Sequence, residues 1–178
     1  MINLLDGRVI LLVDDEDDVR QVISSMLRRV SEKVKIRTAR NGKDALAEMR
    51  QEPPDVVVAD LDMPVMNGYE LIEQIRSQRD TRLIPILVLT ALGQQDAELE
   101  ALDAGANDLM TKPVGLNELV LRIRALIRLK IQIDELQQEC TASKNLVVRL
   151  SQALKNELGM DRARQVLAEV HSPVKKTP

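Results

Sequence analysis

Short, almost unbroken apolar runs alternate along this chain with longer stretches in which apolar residues recur every three or four positions. The runs are Arg8-Val-Ile-Leu-Leu-Val13, Asp55-Val-Val-Val-Ala-Asp60 and Ile84-Pro85-Ile-Leu-Val-Leu89, joined by two weaker strand candidates, Val34 to Thr38 and the short Asn107-Asp-Leu-Met110. They are too short for comfortable helices and rich in β-branched residues, so they predict strands, the central one buried on both faces. Val34, Ile36 and Thr38 alternate. Between the runs, Val19, Val22, Ile23, Met26, Leu27 and Val30 predict an amphipathic helix with Asp17 or Asp18 near its positive end. Ala45, Leu46 and Met49 mark a second helix, Leu71, Ile72 and Ile75 a third, and Leu99 and Leu102 a fourth closed by Ala104-Gly105. A fifth starts near Asn117, read as its N-cap. Asn41-Gly42, Pro53-Pro54 and the pair Pro64 and Gly68 supply turns, and Pro85 sits at a strand start, where it costs least. Five strands alternating with five helices call for an α/β fold, a doubly wound parallel sheet with right-handed crossovers.

The fifth helix has no stop signal where such a domain ends. No Gly or Pro intervenes from Leu116 to Leu158, which predicts one helix of about forty residues, far above the globular average. Leu126, Leu129, Ile133, Leu136, Cys140, Val147, Leu150 and Leu154 follow a heptad broken only by Ser143, the narrow seam of a coiled coil. The rival reading packs that stripe against the parent domain, but a parallel homodimer is preferred because the domain offers no obvious face long enough to cover it. After Gly159, Asp161 caps a short helix with Val166, Leu167 and Val170, and a polar end runs from Ser172 to Pro178. The expected organisation is an α/β domain over 1–127, a helical extension continuous with its last helix over 128–158, and a short helix with a flexible tail over 159–178.

Composition narrows the setting. The 178 residues are 44% apolar and 30% charged, as a folded chain requires. One Tyr, no Phe and no Trp leave an aliphatic core. A net charge of −3, without a basic cluster interleaved with aromatics, argues against a nucleic-acid surface. The single Cys140 cannot form an internal disulfide, which suits a reducing compartment. No signal-peptide order and no apolar run of about 18 residues is present. These features predict a cytoplasmic chain with no membrane span.

The chemistry lies at the strand ends. Asp14 and Asp15 follow the first strand, Asp60 ends the third, Thr90 the fourth and Lys112 the fifth. In an open parallel sheet those ends meet at one crevice. Three carboxylates held together at low dielectric either raise a pKa or hold a cation. All-oxygen ligands in a hydrated site favour Mg2+, with calcium or manganese as substitutes. Magnesium meets phosphate readily, so phosphoryl transfer to a carboxylate follows, with Asp60 as nucleophile, Lys112 and the metal as charge neutralisers and Thr90 as hydroxyl donor. Each residue alone has a plain structural role; their joint placement at successive strand ends carries the reading.

Val13-Asp14-Asp15, the loop Asp60-Leu-Asp-Met-Pro-Val-Met-Asn-Gly68, Leu89-Thr90-Ala91, Ala104-Gly105-Ala106 and Lys112-Pro113 together resemble the receiver domain of two-component response regulators, over about residues 7 to 127. The resemblance implies a flavodoxin-like sheet of order 2-1-3-4-5. It implies Asp60 as phospho-acceptor, with Mg2+ held by Asp15, Asp60 and the backbone carbonyl of Asp62, and by Asp14 through water. Thr90 would bond the phosphoryl group, Lys112 would pair with it, and the Lys112-Pro113 bond would be cis. The donor implied is a histidine kinase or a histidine phosphotransfer protein. Leu109 departs from the family, which often has an aromatic there that flips inward when Thr90 moves, and Val114 replaces a common Phe.

Asp60-Leu-Asp62 also looks like the paired aspartates of haloacid-dehalogenase-type phosphatases, an enzyme reading in which Asp62 is the general acid. Against it, that family's nucleophile ends its first core strand, whereas here a strand ending in paired acids precedes Asp60, and the acidic metal motif after the lysine strand is missing. The lone His171 reads as a surface residue rather than a phosphotransfer histidine. With no helix-turn-helix and no internal repeat, output is expected to pass by contact to a downstream protein target or through a missing output domain.

Overall fold

The structure, a computed structural model, describes residues 3–91 and 95–158. Five strands, β1 (Val9–Val13), β2 (Lys35–Ala39), β3 (Val56–Asp60), β4 (Ile86–Thr90) and β5 (Asp108–Thr111), form one parallel sheet in the order β2-β1-β3-β4-β5. The helices between them are α1 (Asp17–Val30), α2 (Gly42–Gln51), α3 (Gly68–Ser77), α4 (Gln95–Ala104) and α5 (Leu116–Leu158). The flavodoxin-like order and the five alternations match the expectation from the sequence.

The period of two along each strand divides the core into two layers. Ile10 and Leu12 of β1, Val56 and Val58 of β3, and Leu87 and Leu89 of β4 pack with Ile23 and Leu27 of α1 and with Leu119, Ile123 and Ile127 of α5. Leu11, Val13, Val57, Ala59, Ile86 and Val88 face the other way, onto Ala45 and Met49 of α2, Leu71, Ile72 and Ile75 of α3 and Ala101 of α4. Both faces are covered, which is why β1, β3 and β4 tolerate no polar interior residue. Each fully buried leucine, isoleucine or valine contributes about 1.5–3 kcal/mol relative to exposure.

Local signals set the element starts. Asn41 caps α2 by accepting from Asp44 N at 2.9 Å. Asn67 and Glu70 form a reciprocal capping box at α3, each bond 2.9 Å. Asp55 pins the lower ends of β1 and β3, accepting from Val9 N at 2.7 Å and from Arg8 Nη1 at 3.0 Å.

The structure revises two expectations. First, α5 begins at Leu116, not Asn117: Gly115 supplies the first helical carbonyl, accepting from Leu119 N at 2.9 Å, so Asn117 lies inside the first turn. Glycine is itself an acceptable cap, and the turn at Gly115 moves the entry point back. The helix marked by Leu99 and Leu102 is present as α4, although those leucines are 63% and 43% exposed and, among the described residues, Ala101 is the one it buries. Second, Leu126 is buried in the domain core and is not free for a seam. The first turns of α5 cover the sheet with Leu119, Val120, Ile123, Leu126 and Ile127, a globular apolar face that takes in the start of the heptad stripe.

The chain divides into two units, residues 1–133 and 134–178. In the second, the described residues 134–158 are all helical, and Leu136, Val147 and Leu150 are exposed. The helix expected around Asp161 and the tail with His171 lie outside the described residues. Among the described residues no helix is long and apolar enough to cross a membrane.

Candidate functional site

The sheet register brings the strand ends together. Val13 pairs with Ala59, so Asp14 and Asp60 leave their strands side by side, and Thr90 pairs with Thr111, the residue before Lys112. The Lys112 ammonium donates to Asp14 Oδ2 at 2.9 Å and to Asp60 Oδ2 at 3.0 Å. Asp14 and Asp60 are buried while Asp15 is exposed, and carboxylate oxygens of all three lie within 4.8 Å of one another. Thr90 is buried at the end of β4, beside the strand that carries Asp60.

Backbone donors orient the two buried acids. Asp60 Oδ1 accepts from Leu61 N at 2.8 Å, leaving Oδ2 toward Lys112. Asp14 Oδ1 accepts from Glu16 N at 2.9 Å. Sequence reasoning missed Arg20, a buried arginine on the inner side of α1 whose guanidinium donates to the backbone carbonyl of Asp14 and to the Asp17 carboxylate. Its signal was an arginine flanked by Val19 and Ile23 on the apolar face. It ties the acidic loop to the helix that follows.

Gly68 explains how α3 can start so close to the site. A methyl group there would run into the backbone oxygen of Asp60 and lie 2.8 Å from Leu61 Cα. Only glycine lets the loop close on Asp60, and Gly68 N donates to Leu61 O at 2.9 Å. Val65, at the exposed tip of the same loop, has a φ of +73°, unusual for a β-branched residue. The Lys112-Pro113 peptide is cis. Leu109 is half-buried against the α2, α3 and α4 layer, and Val114 packs against the opposite layer.

The electrostatics follow from this packing. Burial raises the Asp60 pKa above the ordinary aspartate value, against the hydrogen bond and charge of Lys112, and the neighbouring Asp14 adds to the rise. Burial alone would lower the Lys112 pKa, but its bonds to Asp14 and Asp60 outweigh that and leave it raised. One ammonium therefore faces three carboxylates, and the excess negative charge, the oxygen-only donors and the open Asp15 side suit a hard divalent cation. Asp62 is exposed and stands outside this three-carboxylate cluster.

Comparison with known proteins follows the same lines. The family model for the response regulator receiver domain matches residues 10–124. The response regulator PleD of Caulobacter vibrioides is 31% identical over 144 residues, covering 81% of this chain and 31% of that protein. The probable transcriptional regulatory protein TcrX of Mycobacterium tuberculosis is 40% identical over 125 residues, 69% of this chain and 52% of that protein. This chain thus spans about a third to a half of the length of these relatives. Among solved structures, the receiver domain of a sensor histidine kinase from Pseudomonas aeruginosa PAO1, with a magnesium ion coordinated in its active site cleft, is 32% identical with a TM-score of 0.63. That match covers 68% of this chain and 98% of that one. Fold, strand-end acids, lysine and sequence converge, and the chain belongs to the response regulator receiver family.

Proposed function

We propose that this receiver accepts a phosphoryl group on Asp60 from a histidine kinase or a histidine phosphotransfer protein, and signals through a homodimer formed by its helical extension. The observation that carries the reading is the Lys112 bridge between Asp14 and Asp60 with Asp15 alongside. An Asp60 carboxylate oxygen attacks phosphorus, the phosphorus–nitrogen bond of the donor phosphohistidine breaks, and the imidazole leaves with the electron pair, giving an acyl phosphate on Asp60. Lys112 meets the charge that develops on the phosphoryl oxygens, and the Thr90 hydroxyl donates to one of them. Asp14, Asp15, Asp60 and the backbone carbonyl of Asp62 would hold Mg2+. The ion, when bound, supplies positive charge beside the phosphoryl oxygens and offsets the crowding of the three acids.

Phosphorylation adds about −1.5 to −2 charges at Asp60. The functional division is a receiver over 1–127, an extension over 128–158 and a tail over 159–178, acting in the cytoplasm on a downstream protein or output domain. The chain acts as a signalling phospho-acceptor rather than as an enzyme on other substrates. The phosphatase alternative needs Asp62 as a general acid beside Asp60, and Asp62 lies outside the carboxylate cluster.

Intact mass after incubation with acetyl phosphate and magnesium tests this reading. Wild type gains one phosphoryl group and Asp60→Asn gains none. Sustained phosphate release that depends on Asp62 would favour the phosphatase instead.

A further inference from the structure

We infer that the exposed seam of α5 pairs with the same seam of a second copy of this chain, in parallel and as a two-stranded coil, with Glu139 of each copy against the partner's Lys144. The inference rests on the parallel homodimer reading above and adds the specific contact between Glu139 and Lys144 that fixes its direction.

The first support is the composition of the seam. With Leu126 committed to the core, the available stripe is Leu129, Ile133, Leu136, Cys140, Ser143, Val147 and Leu150. Its spacing places Ile133, Cys140 and Val147 at the first core position of the heptad and Leu129, Leu136, Ser143 and Leu150 at the fourth. Apart from Cys140 and Ser143, the first positions are β-branched (Ile133, Val147) and the fourth are leucine, a pattern that favours two parallel strands over three or four. Ile133 is half-buried, and beyond it the stripe is uncovered: Leu136 is 66% exposed, Val147 50% and Leu150 54%, and Cys140 is exposed.

The second support is charge. Glu139 and Lys144 occupy the two flanking positions of consecutive heptads. Five residues apart on one helix, they cannot face each other, because only spacings of three and four do so. Among the described residues neither makes an ion pair. A parallel partner brings Glu139 against Lys144 twice, once on each side of the two-fold axis. An antiparallel partner sets the row Gln132, Glu139 and Leu146 against itself and the row Gln137, Lys144 and Ser151 against itself. Glu139 then meets no lysine and Lys144 no acid.

The experiment uses the whole chain. In sedimentation equilibrium, Glu139→Lys and Lys144→Glu each weaken the dimer about tenfold, and the double swap restores it. These are exposed helical positions, and circular dichroism checks that the helix persists. Direction is read by oxidation with diamide, which takes two electrons and two protons from a pair of thiols to form one disulfide. Parallel pairing links Cys140 to its twin, and a Cys140→Ser chain carrying Val147→Cys links equally well. An antiparallel pair meets itself at no more than one of these sites, so crosslinking at only one overturns the inference. A trimer or tetramer overturns it while leaving self-association standing. A monomer overturns both it and the homodimer, and leaves phosphorylation of Asp60, measured by mass, as a separate question.

Discussion

Lys112 donates to Asp60 at 3.0 Å although 52 positions separate them in the chain, and the same ammonium reaches Asp14 at 2.9 Å. The fold is what makes this lysine chemical. The ends of β1, β3, β4 and β5 converge, and the ammonium that bridges Asp14 and Asp60 arrives on the last strand's exit.

Lys112→Met therefore has two opposite effects. It removes a donor to the developing charge and slows phosphorylation by acetyl phosphate about a hundredfold. It also leaves three carboxylates without their ammonium, so added magnesium raises the melting temperature more than in wild type. Kinetics by intact mass and thermal scans across a magnesium titration check the two signs.

Asp60 is costly to keep ionised in the absence of a divalent cation. Burial raises its pKa above the ordinary value of 3.8. Between 3.8 and that raised value the folded chain holds a proton the unfolded chain has released, so stability falls as pH rises through the window. Asp60→Asn removes this loss, and Lys112 keeps its bond to Asp14. Without magnesium, the variant is expected to be more stable than wild type at neutral pH by about 1 kcal/mol, or roughly 3 °C. The gap closes on acidification below the aspartate range, as calorimetry across pH would record.

Gly68→Ala forces a methyl against the backbone of Asp60 and Leu61, which cannot swing aside. A loss of about 1–3 kcal/mol is expected, together with slower phosphorylation because the clash falls on the acceptor residue. Gly42→Ala is the contrast: the atoms nearest its added methyl are side-chain ones, Met66 Cγ and Sδ, which must shift, with Leu71 Cβ 3.1 Å away, rather than backbone. Denaturant unfolding of the two variants separates them.

Val65→Gly works in the other direction. Val65 is 77% exposed, so little packing is lost, while its φ of +73° is one that glycine adopts freely. The substitution stabilises the chain by about 1 kcal/mol with phosphorylation retained. Equal or lower stability in urea unfolding would contradict the strain at this loop.

Much of this was legible in the sequence. β1, β3 and β4 stand out because a strand covered on both faces must be apolar throughout, and acids or hydroxyls then mark where it emerges. The entry and the packing of the long helix were harder to read than its extent. Leu126 satisfies the heptad and the sheet-covering face equally well, and only the fold decides that the sheet takes it. Gly115 rather than Asn117 opens α5, since its carbonyl already accepts from Leu119 N and Asn117 falls within the first turn. Arg20 was overlooked because its one signal, a place beside Val19 and Ile23 on the apolar face, says nothing of its partner, the Asp14 carbonyl. Val65 was hidden because nothing in a valine signals a positive φ.

The most direct measurement is the intact mass of wild type and Asp60→Asn after incubation with acetyl phosphate, with and without magnesium. A single phosphoryl gain that requires both Asp60 and magnesium is the predicted result. A gain that survives Asp60→Asn, or no gain in wild type under any divalent cation, would contradict the assignment of Asp60 as acceptor.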